Sequence, residues 1–274
     1  MTALAAFSHR QASDCSVTPV VPAPRVAQTF SRAAECYDQF ALFQRPSARQ
    51  LVTLVPHAAT GPWLDLGCGT ADVWSDLIGH APQATWLGLD LAAGMVRTAQ
   101  QRHPVHGFVQ GDACQLPLLS ESLQGVYSNL MAQWLCPDDF LREQYRVLQP
   151  GGTLVFSTLL EHSLYELQRA YLQVGDSAPV NPQRTAHAYH SAIQASGFEF
   201  VHWQDIPLTQ EFPDLRAVFH SLKGTGAVAS AQGRQRGLLG RQWWHHMQQA
   251  YPKTAEGKYP LTFNVGYAQL RKPR

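Results

Sequence analysis

This 274-residue chain has almost no surplus charge, with 21 Lys and Arg against 20 Asp and Glu, and only 15% of its residues are charged. That balance demands neither nucleic acid nor an anionic membrane as partner. It also lacks any apolar run near the ~18 residues needed to span a bilayer. The N-terminal Leu4-Ala5-Ala6-Phe7 is too short for the apolar core of a signal peptide. No Cys-x-x-Cys pair occurs. Five cysteines (15, 36, 68, 114 and 136) stand scattered, an odd set that reads as reduced thiols in a cytoplasm rather than a disulfide frame or a zinc site. His187 and His190 lie one helical turn apart with no carboxylate or cysteine at ligand spacing, so no metal is expected. Repeats and low-complexity tracts are missing as well. With 45% hydrophobic residues, the length suits one domain with a substantial core.

Alternating strands and helices begin at Pro62. Residues 1–28, with Pro19, Pro22 and Pro24, read as a disordered arm. Ser31 is placed to cap a first helix running through Tyr37 and Leu42 and resuming after Pro46. The pattern predicts strands at 63–66, 85–89, 106–109, 123–128, 152–158, 198–206 and 261–270. Helices are predicted near 71–80, 93–102, 137–148 and 185–196, the last ending at an αL Gly197. This alternation implies a parallel α/β sheet covered on both faces. Two stretches, about 159–184 and 209–258, are too long for plain connections and read as lid or substrate elements.

The chemistry concentrates where strands end. Trp63-Leu64-Asp65-Leu66 runs into Gly67-Cys68-Gly69-Thr70, a turn that lets a ligand approach bare backbone. Asp65, inside the strand end, needs a partner, either a ligand's ammonium or the N–H groups of the turn. The third glycine of a dinucleotide fingerprint would fall at Asp72, whose carboxylate would repel a pyrophosphate. A nucleoside without phosphate there fits better, and S-adenosylmethionine is such a ligand. Asp90, at the tip of the second strand, can take two ribose hydroxyls or cap the next helix, and both roles are compatible. Asp112 in Gly111-Asp112-Ala113 can accept from an adenine amine or serve as a turn aspartate. Together with Ser128-Asn129, these pieces lie at the carboxyl ends of successive parallel strands, where open α/β sheets bind ligands.

These residues resemble the class I S-adenosylmethionine-dependent methyltransferases, closely over about 62–158 and in outline over 30–272. The resemblance implies a Rossmann-like seven-stranded sheet ordered 3-2-1-4-5-7-6 with strand seven antiparallel and helical lid insertions. It implies a cofactor site of Gln44, Arg45, Asp65, Gly67, Cys68, Gly69, Asp90, Leu91, Met95, Asp112, Ala113 and Asn129. Outside that core, Phe30–Asp38 with Leu42–Arg45, Ser128–Trp134, Phe156–Leu159, Ser163–Leu167, Ser221–Ala227 and Tyr259–Thr262 are similar to the malonyl-acyl-carrier-protein O-methyltransferases of biotin synthesis. Val180-Asn181-Pro182-Gln183-Arg184 departs from that pattern by an extra residue or two before its arginine.

The implied reaction is methyl transfer to the free carboxylate of a malonyl group on acyl carrier protein. No general base is expected, because a carboxylate (pKa near ~4) is already ionised at neutral pH. Tyr37 is the expected hydroxyl donor, and Lys223 and Arg184 the cations for the malonyl group. For Lys223 the alternative is a solvated helix-end lysine. Arg216, Arg234, Arg236 and Arg241 suit an acidic carrier or simply a soluble surface. Trp243-Trp244-His245-His246 reads as a packed helix face with two exposed rings. The expected enzyme is a cytoplasmic monomer. Three rivals stay open: a methyltransferase for another small carboxylate or carrier-bound acyl group, a non-catalytic cofactor-binding partner, and a dehydrogenase, against which Asp72 argues.

Overall fold

The computed structural model describes residues 22–178, 180–224 and 240–274. Its N-terminal helices are α1 (Ala23–Ala33), α2 (Tyr37–Phe40) and α3 (Gln44–Val52). A strand–helix alternation follows: β1 (Gly61–Leu66), α4 (Trp74–His80), β2 (Ala84–Asp90), α5 (Ala93–Arg102), β3 (Gly107–Gln110), β4 (Leu123–Ser128), α6 (Pro137–Val147) and β5 (Leu148–Leu159). The chain continues through α7 (Tyr165–Gln173), α8 (Ala186–Ser196), β6 (Glu199–Phe212), α9 (Leu215–Gly224), α10 (Arg241–Ala250) and β7 (Tyr259–Arg271). The seven strands form one sheet in the order β3-β2-β1-β4-β5-β7-β6. β7 runs antiparallel to both β5 and β6, and the remaining pairs are parallel.

Strand alternation divides the core. Trp63, Tyr127 and Val155 face one layer with Trp74, Leu77 and Leu167. Their neighbours Leu64, Val126 and Leu154 face the other, against Phe140, Tyr189 and Ile193. Side chains of period two thus feed two buried faces, as a helix-covered parallel sheet requires.

Several expectations shift at their edges. Residues 23–28, read from sequence as part of an unstructured arm, are the start of α1. Pro22 is its N-cap and Pro24 lies in its first turn, where a missing N–H costs nothing. Ser31 sits inside α1 and caps no helix there; its Oγ instead accepts from Gly94 N at 3.1 Å and ties α1 to α5. The expected first helix is three pieces, with Pro46 at the third position of α3, still in its first turn. β5 starts at Leu148 rather than Gly152, and a register shift beside Leu123 absorbs the Pro-Gly-Gly bend. β6 continues to Phe212, so the second lid stretch starts later than the sequence suggests. Gly197 ends α8 at φ 83°, and Thr185 caps its start by accepting from Ala188 N. Cys36, Cys68 and Cys114 are free thiols.

Candidate cofactor and substrate site

A deep cavity opens at the carboxyl ends of β1, β2 and β4, roofed by α1, α2 and α3. All twelve expected cofactor residues line it, from Gln44 and Arg45 through Asp65, Gly67, Cys68, Gly69, Asp90, Leu91, Met95, Asp112 and Ala113 to Asn129. Tyr37 lines it too.

The glycine turn is built by the end of β2. Gly67 N and Cys68 N both donate to Leu89 O, at 2.7 and 3.0 Å. Gly69 N donates to Asp90 Oδ2 at 3.0 Å, and Ala92 N to Asp90 Oδ1 at 2.8 Å. Asp90 therefore orients the turn and helps start α5 with one carboxylate. Those turn N–H groups are already occupied, which leaves little to cradle a phosphate and favours a phosphate-free ligand. Gly67 and Gly69 take φ of 74° and 54°. A Cβ at Gly69 would meet nothing within 4 Å, so the backbone there is bare toward a ligand. Leu130 and Leu164, which line the cavity, also hold positive φ, strain of the kind expected at a binding site.

Asp65 is held by a side chain rather than by the N–H groups of the turn. Its Oδ2 accepts from Trp74 Nε1 at 2.6 Å, and burial pushes its pKa up to about 7 despite that bond. Burial also raises Asp90, offset by its backbone N–H donors. The Cys68 thiol is driven upward by burial and by Asp65 and Asp90, so it stays protonated and unreactive. Asp112 is exposed and accepts from Cys114 N at 2.8 Å, a turn aspartate that also faces the cavity. Burial, then Asp90, Asp38 and Asp72, raise the Tyr37 phenol, which makes it a permanent hydroxyl donor.

Two networks that join the roof to the sheet were not visible in the sequence. In the first, Ser47 Oγ and Ser157 Oγ donate to Asn129 Oδ1 at 2.9 and 2.8 Å, and Asn129 Nδ2 donates to Gln44 O at 3.2 Å. Tyr267 OH reaches the same Ser47 Oγ at 3.1 Å. In the second, Arg102 of α5 donates to Asp38, to Thr70 O and Oγ1, and to Asp72, while Thr70 Oγ1 donates to Asp38 at 2.6 Å. Arg45 grips Asp72 through two nitrogens, so its charge is already matched by a carboxylate.

The expected substrate cations separate. Arg184 is half-buried beside Gln183, which lines the cavity, and its carbonyl accepts from Glu161 N at 2.9 Å. Lys223 is exposed on α9 and does not line the cavity, although its neighbours Ser221 and Leu222 do. Helix geometry explains this: with Ser221 and Leu222 turned inward, the next position turns outward. Residues 225–227 of that motif, with Arg234 and Arg236, lie outside the described residues. Trp243 and Trp244 are half-buried while His245 and His246 are exposed, as expected.

The family model described as a methyltransferase domain matches residues 64–156, the span that holds the turn, Asp90, Asp112 and Asn129. A malonyl-[acyl-carrier protein] O-methyltransferase of Herminiimonas arsenicoxydans is 34% identical over 93% of this chain and 98% of its own length. Another, from Yersinia pestis, is 38% identical over 89% of this chain and 90% of its own. The chain belongs to this family of O-methyltransferases. It is an enzyme, and S-adenosylmethionine is the methyl donor expected from its motifs. Among solved structures, the methyltransferase bound to its Trm112 activator from Haloferax volcanii superposes with a TM-score of 0.59, covering 91% of this chain and 98% of that one at 20% identity, a likeness of fold.

The cavity fits that donor on its own terms. Bare backbone at Gly69, the raised carboxyl of Asp65 and the exposed carboxylate of Asp112 offer acceptors and contact surface to a cationic nucleoside. Gln44 Oε1 and Gln133 Oε1, both buried in the lining, have no hydrogen-bond partner among the described residues. Buried acceptors of this kind are costly until a ligand donates to them.

Proposed function

We propose that this enzyme methylates the free carboxylate of a malonyl group carried on acyl carrier protein, giving the malonyl methyl ester that primes pimeloyl synthesis for biotin. When bound, S-adenosylmethionine supplies a methyl group activated by its sulfonium. The observation that carries the reading is the lining itself. Among the described residues, no histidine, lysine or glutamate lines the cavity. Asp65, Asp90 and Asp38 are already engaged by Trp74, by backbone N–H groups, and by Thr70 with Arg102. Cys68 and Tyr37 are held protonated. Such a site suits a nucleophile that arrives ionised, and a carboxylate does. An alcohol or amine acceptor would need a base, and no histidine, lysine or glutamate of the described lining supplies one.

The work left to the protein is positioning and exclusion of water, which can supply several kcal/mol. In this reading Tyr37 donates to the substrate carboxylate, and Arg184 draws it toward the Gln183 side of the cavity. Apolar walls from Phe30, Met131, Trp134, Leu164 and Phe263 keep the reacting atoms dry. Phe30 meets Trp134 edge-on at 5.7 Å and closes the roof over them.

The test is methyl-ester formation, read by mass spectrometry, on malonyl-carrier protein against acetyl-carrier protein and against small alcohols and amines. Selective esterification of the malonyl carrier is expected, with restored growth of a biotin-requiring strain that lacks this step. Equal or better methylation of a neutral acceptor would overturn the assignment.

A further inference from the structure

The chain's near-neutral charge conceals a strong segregation. Between Asp214 and Glu256 the sequence holds six Lys or Arg and neither Asp nor Glu, which leaves 15 basic against 20 acidic residues for the remainder. The described part of this acid-free segment consists of α9, α10 and the loop after it. On α9, Arg216, His220 and Lys223 are exposed at spacings of four and three, so they share one outer stripe. The inner face of the same helix buries Leu215, Val218, Ser221 and Leu222, and the last two form cavity wall. One helix thus carries positive charge outward and substrate chamber inward.

Its neighbours fix that helix at the working end of the molecule. His220 meets Phe40 of α2 edge-on at 4.8 Å, and α2 begins with Tyr37. Phe219 packs on Trp244 at 5.7 Å and on Trp243 at 6.5 Å, which brings α10 alongside. Arg241 and His245 are exposed on α10 one turn apart. The aromatic rings of this region are spent on one another, so the surface offers charge without free stacking faces. That favours an acidic protein surface over a nucleic acid strand, whose bases would need such faces.

We propose that the outer stripe of α9, with Arg216, His220 and Lys223, extended by Arg241 and His245 of α10, docks an acidic helical face of the acyl carrier protein. The inference rests on the proposed function. It also gives Lys223 a role that its exposure permits. It grips the carrier rather than the malonyl group, while Ser221 and Leu222 on the opposite side of α9 wall the chamber the malonyl group enters. Rim charges of this kind act mainly on encounter and are weakened by salt.

The deciding experiment reverses two charges, Arg216→Glu with Lys223→Glu, in the full chain. Steady-state kinetics with malonyl-carrier protein are run at low and high salt. Anisotropy of fluorescently labelled malonyl-carrier protein reads binding directly, and calorimetry with S-adenosylhomocysteine checks the cofactor site. The expected result is a KM and carrier Kd raised at least tenfold at low salt, with kcat and S-adenosylhomocysteine affinity within twofold of the parent. The parent's carrier affinity should fall with salt and the variant's should stay nearly flat. Arg271→Glu, an exposed reversal at the far end of β7, should leave all of these unchanged. An unaltered carrier Kd in the double variant, an equal effect of Arg271→Glu, or tighter parental binding to a random oligonucleotide than to the carrier would overturn the surface. Failure of the parent to esterify malonyl-carrier protein speaks to the function instead, and the anisotropy titration still judges the surface.

Discussion

At the strand ends, the polar groups of the cavity are satisfied by adjoining strands and turns: Gly67 and Cys68 by Leu89, Gly69 and Ala92 by Asp90, Cys114 by Asp112. On the roof, they are satisfied across long stretches of chain. Ser47 reaches Asn129, Asn129 reaches back to Gln44, Tyr267 reaches Ser47, and Arg102 reaches Asp38. The floor is therefore a consequence of forming the parallel sheet. The roof is a separate assembly, held by a few side chains that must each find a distant partner. Binding and stability should divide along the same line.

The largest test of that division is Asn129→Ala. Asn129 lines the cavity, yet its side chain is occupied by Ser47, Ser157 and the Gln44 carbonyl. Removing it strands partners in a largely buried network, at about 3 kcal/mol. Urea denaturation should show that loss, with S-adenosylhomocysteine affinity falling by a smaller factor. A variant of normal stability that no longer binds the ligand would make Asn129 a ligand contact and erase the distinction.

Asp90→Ala probes the floor. It orphans Gly69 N and Ala92 N and removes the carboxylate assigned to the ribose hydroxyls. Calorimetry should register weaker cofactor binding by about 1–3 kcal/mol. Unchanged affinity would take Asp90 out of the site.

Asp65 gives the floor a pH signature. Its folded pKa, raised to about 7 by burial, lies above its ordinary value, so the folded protein binds more protons than the unfolded chain between roughly pH 4 and 7. Stability should consequently fall as pH rises through that window and level off above it. Asp65→Asn keeps an acceptor for Trp74 Nε1 and removes the charge, so its melting temperature should lose this component of the pH dependence and exceed the parent's at pH 8. A parallel pair of pH profiles would show that Asp65 ionises in the fold as easily as in water.

Legibility in the sequence follows the same division. The glycine turn, Asp90 and Asp112 could be read because strand endings and turn residues are local signals, and the strand order followed from the family they resemble. Asp65 was found but not its partner, since nothing in the spacing points to Trp74. The pairings of Ser47, Ser157, Thr70 and Arg102 carry no local mark: Ser47 and Arg102 lie on helices and read as ordinary surface, and nothing beside Ser157 on β5 or Thr70 in the glycine turn points to their distant partners. Ser163–Leu167, in the first lid stretch, and Tyr259–Thr262 entered only as carriers of the family resemblance, and in the fold Glu166 accepts from Thr262 N at 3.0 Å and from its Oγ1 at 2.5 Å. That pairing seats α7 on β7, a structural role for two motifs that only the folded chain brings together. Lys223 stands outside the cavity lining because a one-residue step along a helix turns a side chain by nearly a third of a circle.

The smallest expected effect in stability belongs to Arg102→Ala, and it bears most directly on the roof. Arg102 joins Asp38 of α2, Thr70 of the glycine turn and Asp72 in one cluster, so it aligns the helix that carries Tyr37 with the loop beneath it. Its side chain is 35% exposed, against 21% for Asp38 and 26% for Asp72. Water and salt screen pairs this open, and the loss in folding stability should stay near or below ~1 kcal/mol. The kinetic loss should be out of proportion to it, because released Asp38 lets Tyr37 drift from its place over the turn. A several-fold fall in kcat/KM for the malonyl substrate is expected, with S-adenosylhomocysteine affinity little changed and high salt weakening the parent toward the variant. Arg102→Lys should recover only part of the rate, since one ammonium cannot span Asp38 and Thr70 as a guanidinium does. Should Arg102→Ala instead unfold at a markedly lower urea concentration, the roof would be as firmly part of the fold as the floor, and the two walls would differ in sequence distance alone.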